Sequence, residues 1–500
     1  MADVIKQFTK NIFSSWAALA IRSVLVFLIN PFIIHALGDD RYGMWVLVMS
    51  IINYMTILDL GFKQALIRFI SRSLGLGENE KINTILHSGF LVYSGVAVMV
   101  LIISFLLSWL VLDRFNIPPE LLSEGRTVLI IIAFHTALNF ALLGWGNSLG
   151  AFHRYDLANA LAIFENIART IGIYLVLSRG GSLVGFALLF PLFSLVRLLA
   201  GMVLLKRYFP FIRFGLGQVS RETLVRLYRY GKIGFLISVI WLLVANTDHV
   251  LIGYFLDTAR VTPYAIAGTL IIFLRGFTQA VTFPMRPMIS HFEALGRIDD
   301  IRRVYRQGTS FLYFCSGLAA GATVILADYF IFLWMGPGYA EAAGILKILV
   351  VPAAFFLPQA VAFSILYAIE KHRYILWALL AEGLINFILS IILVRYYGLY
   401  GIAYGTVIPQ TIVYLVVFPI IMRNQIGIAL GRFYISSLPI LAVSMLLGGG
   451  VSWVAVGLVR PDNWTVFGLE VMVVTALALA AARPVLGRAP LEFLKSPERR

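Results

Sequence analysis

Fourteen runs of mostly apolar residues follow one another along the 500-residue chain, each long enough to cross a bilayer as a helix. They lie at about 11–35, 43–70, 84–112, 126–149, 157–177, 183–206, 233–256, 264–288, 307–333, 342–368, 374–396, 399–421, 434–459 and 465–486. At bilayer depth the backbone has no water to bind, so such runs close their own hydrogen bonds as helices. Little chain is left for loops. Hydrophobic residues make up 60%, charged residues 13%, and mean hydropathy is +0.89. A soluble domain is about 45–50% apolar and about 25% charged. Water-soluble enzymes and nucleic-acid binders are therefore set aside, although the net charge of +15 would otherwise point to nucleic acid. The single cysteine, Cys315, excludes an internal disulfide framework and a thiolate metal cluster. The first run is too long for a signal peptide, and its Ala18-Leu-Ala20 lies inside the run, so it reads as the first membrane helix.

Basic residues set the orientation. With the N-terminus inside, one set of loops carries 24 Lys and Arg, among them Lys10, Arg154, Lys206, Arg213, Arg302 and Arg423. The other set carries 7, Arg41, Arg114, Arg126, Arg179, Arg260, Arg395 and Arg460. This positive-inside asymmetry places both termini in the cytoplasm, which requires an even number of spans and agrees with fourteen. The sequon Asn463-Trp-Thr465 then falls outside, and reads as a chance match.

The chain repeats itself at an offset of about 217–222 residues. Gly77-Glu-Asn-Glu-Lys-Ile-Asn-Thr-Ile-Leu-His-Ser-Gly89 aligns without gaps on Gly296-Arg-Ile-Asp-Asp-Ile-Arg-Arg-Val-Tyr-Arg-Gln-Gly308. The helix of Glu165 aligns on that of Glu382, Gly181 on Gly398, and Tyr42 on Tyr264. Polar turn positions match as well as apolar ones, so alignment of any two greasy helices does not explain it. The expected fold is an all-α polytopic membrane protein of about 14 transmembrane helices. It has two pseudo-symmetric six-helix lobes, 1–210 and 233–425, a cytoplasmic amphipathic linker at 211–232, and two extra helices with a basic tail at 426–500. Parallel repeats of this kind are a common transporter plan, with the substrate path between the halves. In the linker Ser220 reads as a helix N-cap with Glu222 in the first turn, and Arg221, Arg226 and Arg229 suit an anionic inner leaflet.

Charges within the spans are the functional candidates, because each costs a few kcal/mol at mid-bilayer. Asp59 with Lys63 and Glu165 with Arg169 stand at i, i+4, a spacing at which neighbours neutralise each other. Transport would open such a pair when an anion takes the cation or a proton takes the carboxylate. Arg22, Arg197, Arg275, Lys347, Asp248 and Glu382 have no partner at helical spacing. Lys347 and Arg197 can snorkel to a surface. Arg22 and Arg275 sit nearer mid-span and suit a hydrated cavity. The candidates for a cationic substrate cavity are Arg22, Lys63, Arg169, Arg275 and Arg197, and those for ion coupling are Asp59, Glu165, Asp248 and Glu382. Arg offers a planar fork of donors suited to phosphate, and a cationic cavity in a low-dielectric wall concentrates anions. A phosphate- or pyrophosphate-bearing substrate follows. His35 and His135 read as buried hydrogen-bonded side chains, and Asp39-Asp40 as a turn between Gly38 and Gly43. No catalytic or metal-ligating constellation and no nucleotide P-loop is present, so neither an enzyme nor a cofactor is expected. The outer loops are too short for a polymerase or glycosyltransferase site.

Leu37-Gly-Asp-Asp-Arg-Tyr-Gly-Met-Trp, Leu58-Asp-Leu-Gly61, Arg68-Phe-Ile-Ser71, Ser220-Arg-Glu-Thr-Leu, Tyr230-Gly231 and Asp248-His-Val-Leu-Ile-Gly-Tyr254 resemble the polysaccharide transporter (oligosaccharide flippase) family. That family belongs to the multidrug/oligosaccharidyl-lipid/polysaccharide (MOP) exporter superfamily. The resemblance covers nearly the whole chain. It implies a flippase that moves undecaprenyl-pyrophosphate-linked oligosaccharide across the cytoplasmic membrane by alternating access, without ATP, for surface polysaccharide assembly. Lipid-linked oligosaccharide, membrane lipids and polysaccharide assembly proteins are then its partners, with no nucleic acid. The alternatives are an ion-coupled multidrug exporter of the same superfamily, which calls for an anionic cavity and commonly twelve spans, and a membrane polymerase. The family carries no universal motif for its cavity, so the residue assignments rest on position within the helices.

Overall fold

A computed structural model describes residues 2–146, 148–215, 217–282 and 285–486. It is built from helices throughout those residues: α1 (Ala2–Leu37), α2 (Asp39–Met55), α3 (Phe62–Gly75), α4 (Asn79–Leu110), α5 (Pro119–Ala141), α6 (Leu143–Gly146), α7 (Tyr155–Leu177), α8 (Leu183–Tyr208) and α9 (Arg221–Phe255). The chain continues through α10 (Thr258–Thr282), α11 (Met285–Ala294), α12 (Ile298–Met335), α13 (Ala340–Phe356), α14 (Ala360–Ala368), α15 (Arg373–Tyr397), α16 (Leu399–Ile412), α17 (Phe418–Ile426), α18 (Leu430–Leu458) and α19 (Trp464–Leu486). Among the described residues, twelve helical segments are long and apolar enough to cross a membrane. The seventh and fourteenth expected spans fall on α9 and on α19, which carries the shorter apolar stretch Trp464–Leu477. The chain is an all-α multi-pass membrane protein.

The helix ends follow local chemistry. Pro119 opens α5, where its missing N–H costs nothing. Ser182 and Ser220 cap α8 and α9, each hydroxyl accepting from the amide three residues on. From Arg221 the chain runs without interruption into the seventh span, so the amphipathic stretch is the first part of α9 rather than a separate linker helix. Asn463 accepts from the amides of Thr465 and Val466 at 3.0 Å each, so the sequon asparagine caps α19. Asp39 and Asp40 form the first turn of α2 instead of a free turn, an acidic start that suits the helix dipole.

Two compact units divide the chain, 1–262 and 263–500. Within the first, α1 packs on α7, α4 on α5, and α2 on α9. Within the second, α12 lies along α18 so closely that a Cβ on Gly321 would stand 2.1 Å from the Met445 carbonyl oxygen. Turns that align in the sequence share a backbone conformation. Gly77 and Gly296 both adopt positive φ (70° and 67°), and glycine does so without a Cβ clash. The amide after each reaches back five residues, Glu78 to Ser73 and Arg297 to Phe292, at 2.9 Å in both. His153 and Glu370, 217 apart, are both left-handed non-glycine residues (φ 59° and 56°). Arg154 and Lys371 then donate to the carbonyls of Leu149 and Leu366 at 2.9 and 2.8 Å. The left-handed glycine matching Gly398 is Gly180, one residue from the aligned Gly181.

Candidate functional site

The second span is broken. After α2 a single 3-10 turn, Thr56–Asp59, leads to Leu60 and Gly61, both left-handed (φ 48° and 75°), and only then does α3 begin. A left-handed leucine costs roughly 1–2 kcal/mol, so surrounding contacts must hold it there. The break changes the expected Asp59–Lys63 pair. The Asp59 carboxylate accepts from the backbone amide of Lys63 at 3.2 Å and from the Tyr93 hydroxyl on α4, not from the Lys63 ammonium group. That group has no ion-pair partner among the described residues.

Thr56, Asp59 and Lys63 form one wall of a cavity of about 780 Å³ in the first unit. His135, Asn139 and Arg197, from α5 and α8, face into it as well. Arg197 does not snorkel. Its Nε lies 2.6 Å from the Glu165 carboxylate on α7, and its Nη2 donates to Asn139 Oδ1 at 3.0 Å. Glu165 also holds Arg169 at 3.0 Å, the one expected i, i+4 ion pair that forms. The Arg169 guanidinium lies over the Phe190 ring, 4.8 Å from its centroid. Arg22 on α1 is close enough that its charge repels Arg169. One carboxylate therefore serves two guanidinium groups with a third nearby. Of these charged groups Asp59, Lys63 and Arg197 line the cavity, and Arg197 ties the Glu165–Arg169 pair to its wall.

Asp248 is buried on α9 beside Tyr54 of α2. It belongs to a polar row in which Asn53 donates to Asn246 at 3.2 Å and Ser50 meets His249 at 3.2 Å. It does not line the cavity. In the second unit Glu382 of α15 is buried and faces Arg275, Tyr414 and Gln410. Arg275 lies over the Phe356 ring at 4.4 Å. Asn386 stands four residues after Glu382, as Arg169 stands after Glu165, and donates to Thr406 at 2.7 Å. The same frame thus carries a cation in the first unit and an amide in the second. Lys347, expected to snorkel, pairs with Asp328 at 2.5 Å. His135, expected to be buried and hydrogen-bonded, meets Asn139 at 3.4 Å and also lines the cavity. Asn139 and Tyr93 escaped notice in the sequence, where an uncharged polar side chain in an apolar run carries little signal.

Comparison with known proteins agrees with this architecture. The family profile described as polysaccharide biosynthesis protein matches residues 8–290. The uncharacterized membrane protein EpsK of Bacillus subtilis (strain 168) is 24% identical over 413 residues, covering 79% of each chain. Among solved structures, the lipid II flippase MurJ in an inward closed conformation is similar at a TM-score of 0.73 and 15% identity, covering 96% of this chain and 98% of that one. The Vibrio cholerae MATE transporter VcmN is similar at a TM-score of 0.61 and 16% identity, covering 85% and 99%. The fold is that of the MOP superfamily.

Proposed function

This chain belongs to the polysaccharide biosynthesis protein family, and from that premise we propose that it flips a lipid-linked oligosaccharide, carried on undecaprenyl pyrophosphate, across the cytoplasmic membrane. The observation that carries this reading is the cation excess at the cavity of the first unit, where Lys63 and Arg197 line the wall with one carboxylate, Asp59, and Arg197 shares Glu165 with Arg169. Guanidinium forks suit the two phosphates of such a headgroup. Asn139, Thr136 and the cavity's ring edges suit a sugar. The family profile and the fold shared with a lipid II flippase support the same substrate class.

In this reading Glu165 is a resident anion. An entering diphosphate competes with it for Arg197 and Arg169, so occupancy changes the charge state of the site and biases one conformation over the other. Glu382, Asp248 and Asp59 are the groups through which an ion gradient would act, and Arg275 is the candidate substrate cation of the second unit. Both termini lie in the cytoplasm, and polysaccharide assembly proteins take up the product.

Arg22→Ala, Arg197→Ala and Arg275→Ala are each expected to abolish surface-polysaccharide export in a complementation assay while protein levels stay normal. Full export in all three would remove the cationic site from the mechanism. A multidrug exporter is the second reading, favoured by the likeness to VcmN and by the buried Glu382. Dye efflux that collapses in Glu382→Gln, with polysaccharide export untouched, would select it.

A further inference from the structure

We propose that Tyr93 is a positioning residue: its hydroxyl holds the Asp59 carboxylate at the start of α3 and so keeps the Lys63 ammonium group unpaired and available in the cavity. This rests on the reading above that Lys63 contacts the substrate's phosphates. Asp59 and Lys63 are one helical turn apart in sequence, a spacing at which opposite charges ordinarily meet. Here they do not. The left-handed pair Leu60–Gly61 turns the chain between them, and the carboxylate is taken by two other donors, the Lys63 backbone amide and Tyr93.

Tyr93 is well placed to do this. It is fully buried, its ring stacked on Phe140 at 5.8 Å and set edge-on to Phe62 at 6.5 Å. Its hydroxyl therefore points in a fixed direction, and its ring packs against the first residue of α3. A carboxylate has about four acceptor sites. Without the hydroxyl, Asp59 keeps the Lys63 amide, and Lys63, whose charge already acts on Asp59, is the cation at hand to replace the lost donor. The pair would then close, and the wall formed by Thr56, Asp59 and Lys63 would lose its free positive charge.

The test uses the purified full-length protein and an amine-acylating reagent, with labelling at Lys63 read by mass spectrometry. Tyr93→Phe keeps the ring packing and removes one oxygen. It is expected to lower Lys63 labelling roughly tenfold, since an ion-paired ammonium group gives up its proton less readily. The double variant Tyr93→Phe/Asp59→Asn is expected to restore labelling to the wild-type rate, which a general loss of packing would not do. Asp59→Asn alone is expected to label as fast as wild type or faster. Unchanged labelling in Tyr93→Phe, or no recovery in the double variant, overturns the proposal. Export is read on the same variants. Reduced labelling with full export would leave the positioning role standing and instead remove Lys63 from substrate binding.

Discussion

Glu165→Gln separates a site built to receive an anion from one built only to hold helices together. Glu165 lies 3.0 Å from Arg169 and 2.6 Å from Arg197, and its side chain is 10% exposed against 21% for each arginine. At about 4 Å between charge centres and an effective dielectric of about 20, one such attraction is about 4 kcal/mol before desolvation is subtracted. Removing one partner from a largely buried pair costs about 3–5 kcal/mol, because the remaining charge is left uncompensated. In Glu165→Gln two guanidinium groups lose their shared partner while Arg22 adds its repulsion. The empty variant should therefore be about 3 kcal/mol less stable than wild type. An added diphosphate replaces the missing charge and no longer competes with a resident carboxylate. If half of one attraction, about 2 kcal/mol, reaches the binding equilibrium, affinity rises about 30-fold. The assay is thermal unfolding of the purified protein in detergent, titrated with inorganic pyrophosphate. The variant should melt lower without pyrophosphate, recover more with it, and half-saturate at a correspondingly lower concentration. A variant that gains no more from pyrophosphate than wild type does would refute the anion site, and the cluster would then be a structural tie between α7 and α8.

Two further outcomes test the scaffold. A Cβ on Gly43 would stand 1.7 Å from the Thr258 carbonyl oxygen, so Gly43→Ala must push α2 away from the start of α10. A loss of about 1–3 kcal/mol is expected, seen as a lower unfolding midpoint, and an unchanged midpoint would contradict the close approach. Asn463→Ala removes the acceptor for two amides at the head of α19 and should cost about 1 kcal/mol while leaving export intact. Lost export at normal stability would mean that the residue does more than cap the helix.

Much of the architecture was legible in the sequence because it is a local matter. Long apolar runs, Ser220 at a helix start, and the paired turns at Gly77 and Gly296 are each decided within a few residues. The Glu165–Arg169 pair was legible for the same reason, since four residues on one helix fix the geometry. The Asp59–Lys63 pair has identical spacing and failed. The helix on which that spacing depends is interrupted between the two residues, and nothing in Leu58-Asp-Leu-Gly61 declares a left-handed leucine. The partner of Arg197 was not legible, because it lies on another helix, 32 positions earlier in the chain. That His135 also borders a cavity was not legible, because a sequence gives no sign that a helix face borders empty space rather than another helix.

The amino-acid order alone settled that this chain lives in a membrane and that it is helical. Hydrocarbon admits few backbone forms, and runs of apolar residues measure its thickness directly. Only the packed structure decided which charges cancel and which stay open. Ion pairing depends on distances of a few ångströms between helices far apart in sequence, and on one bent span that aims Asp59 at Tyr93 and leaves Lys63 facing the cavity.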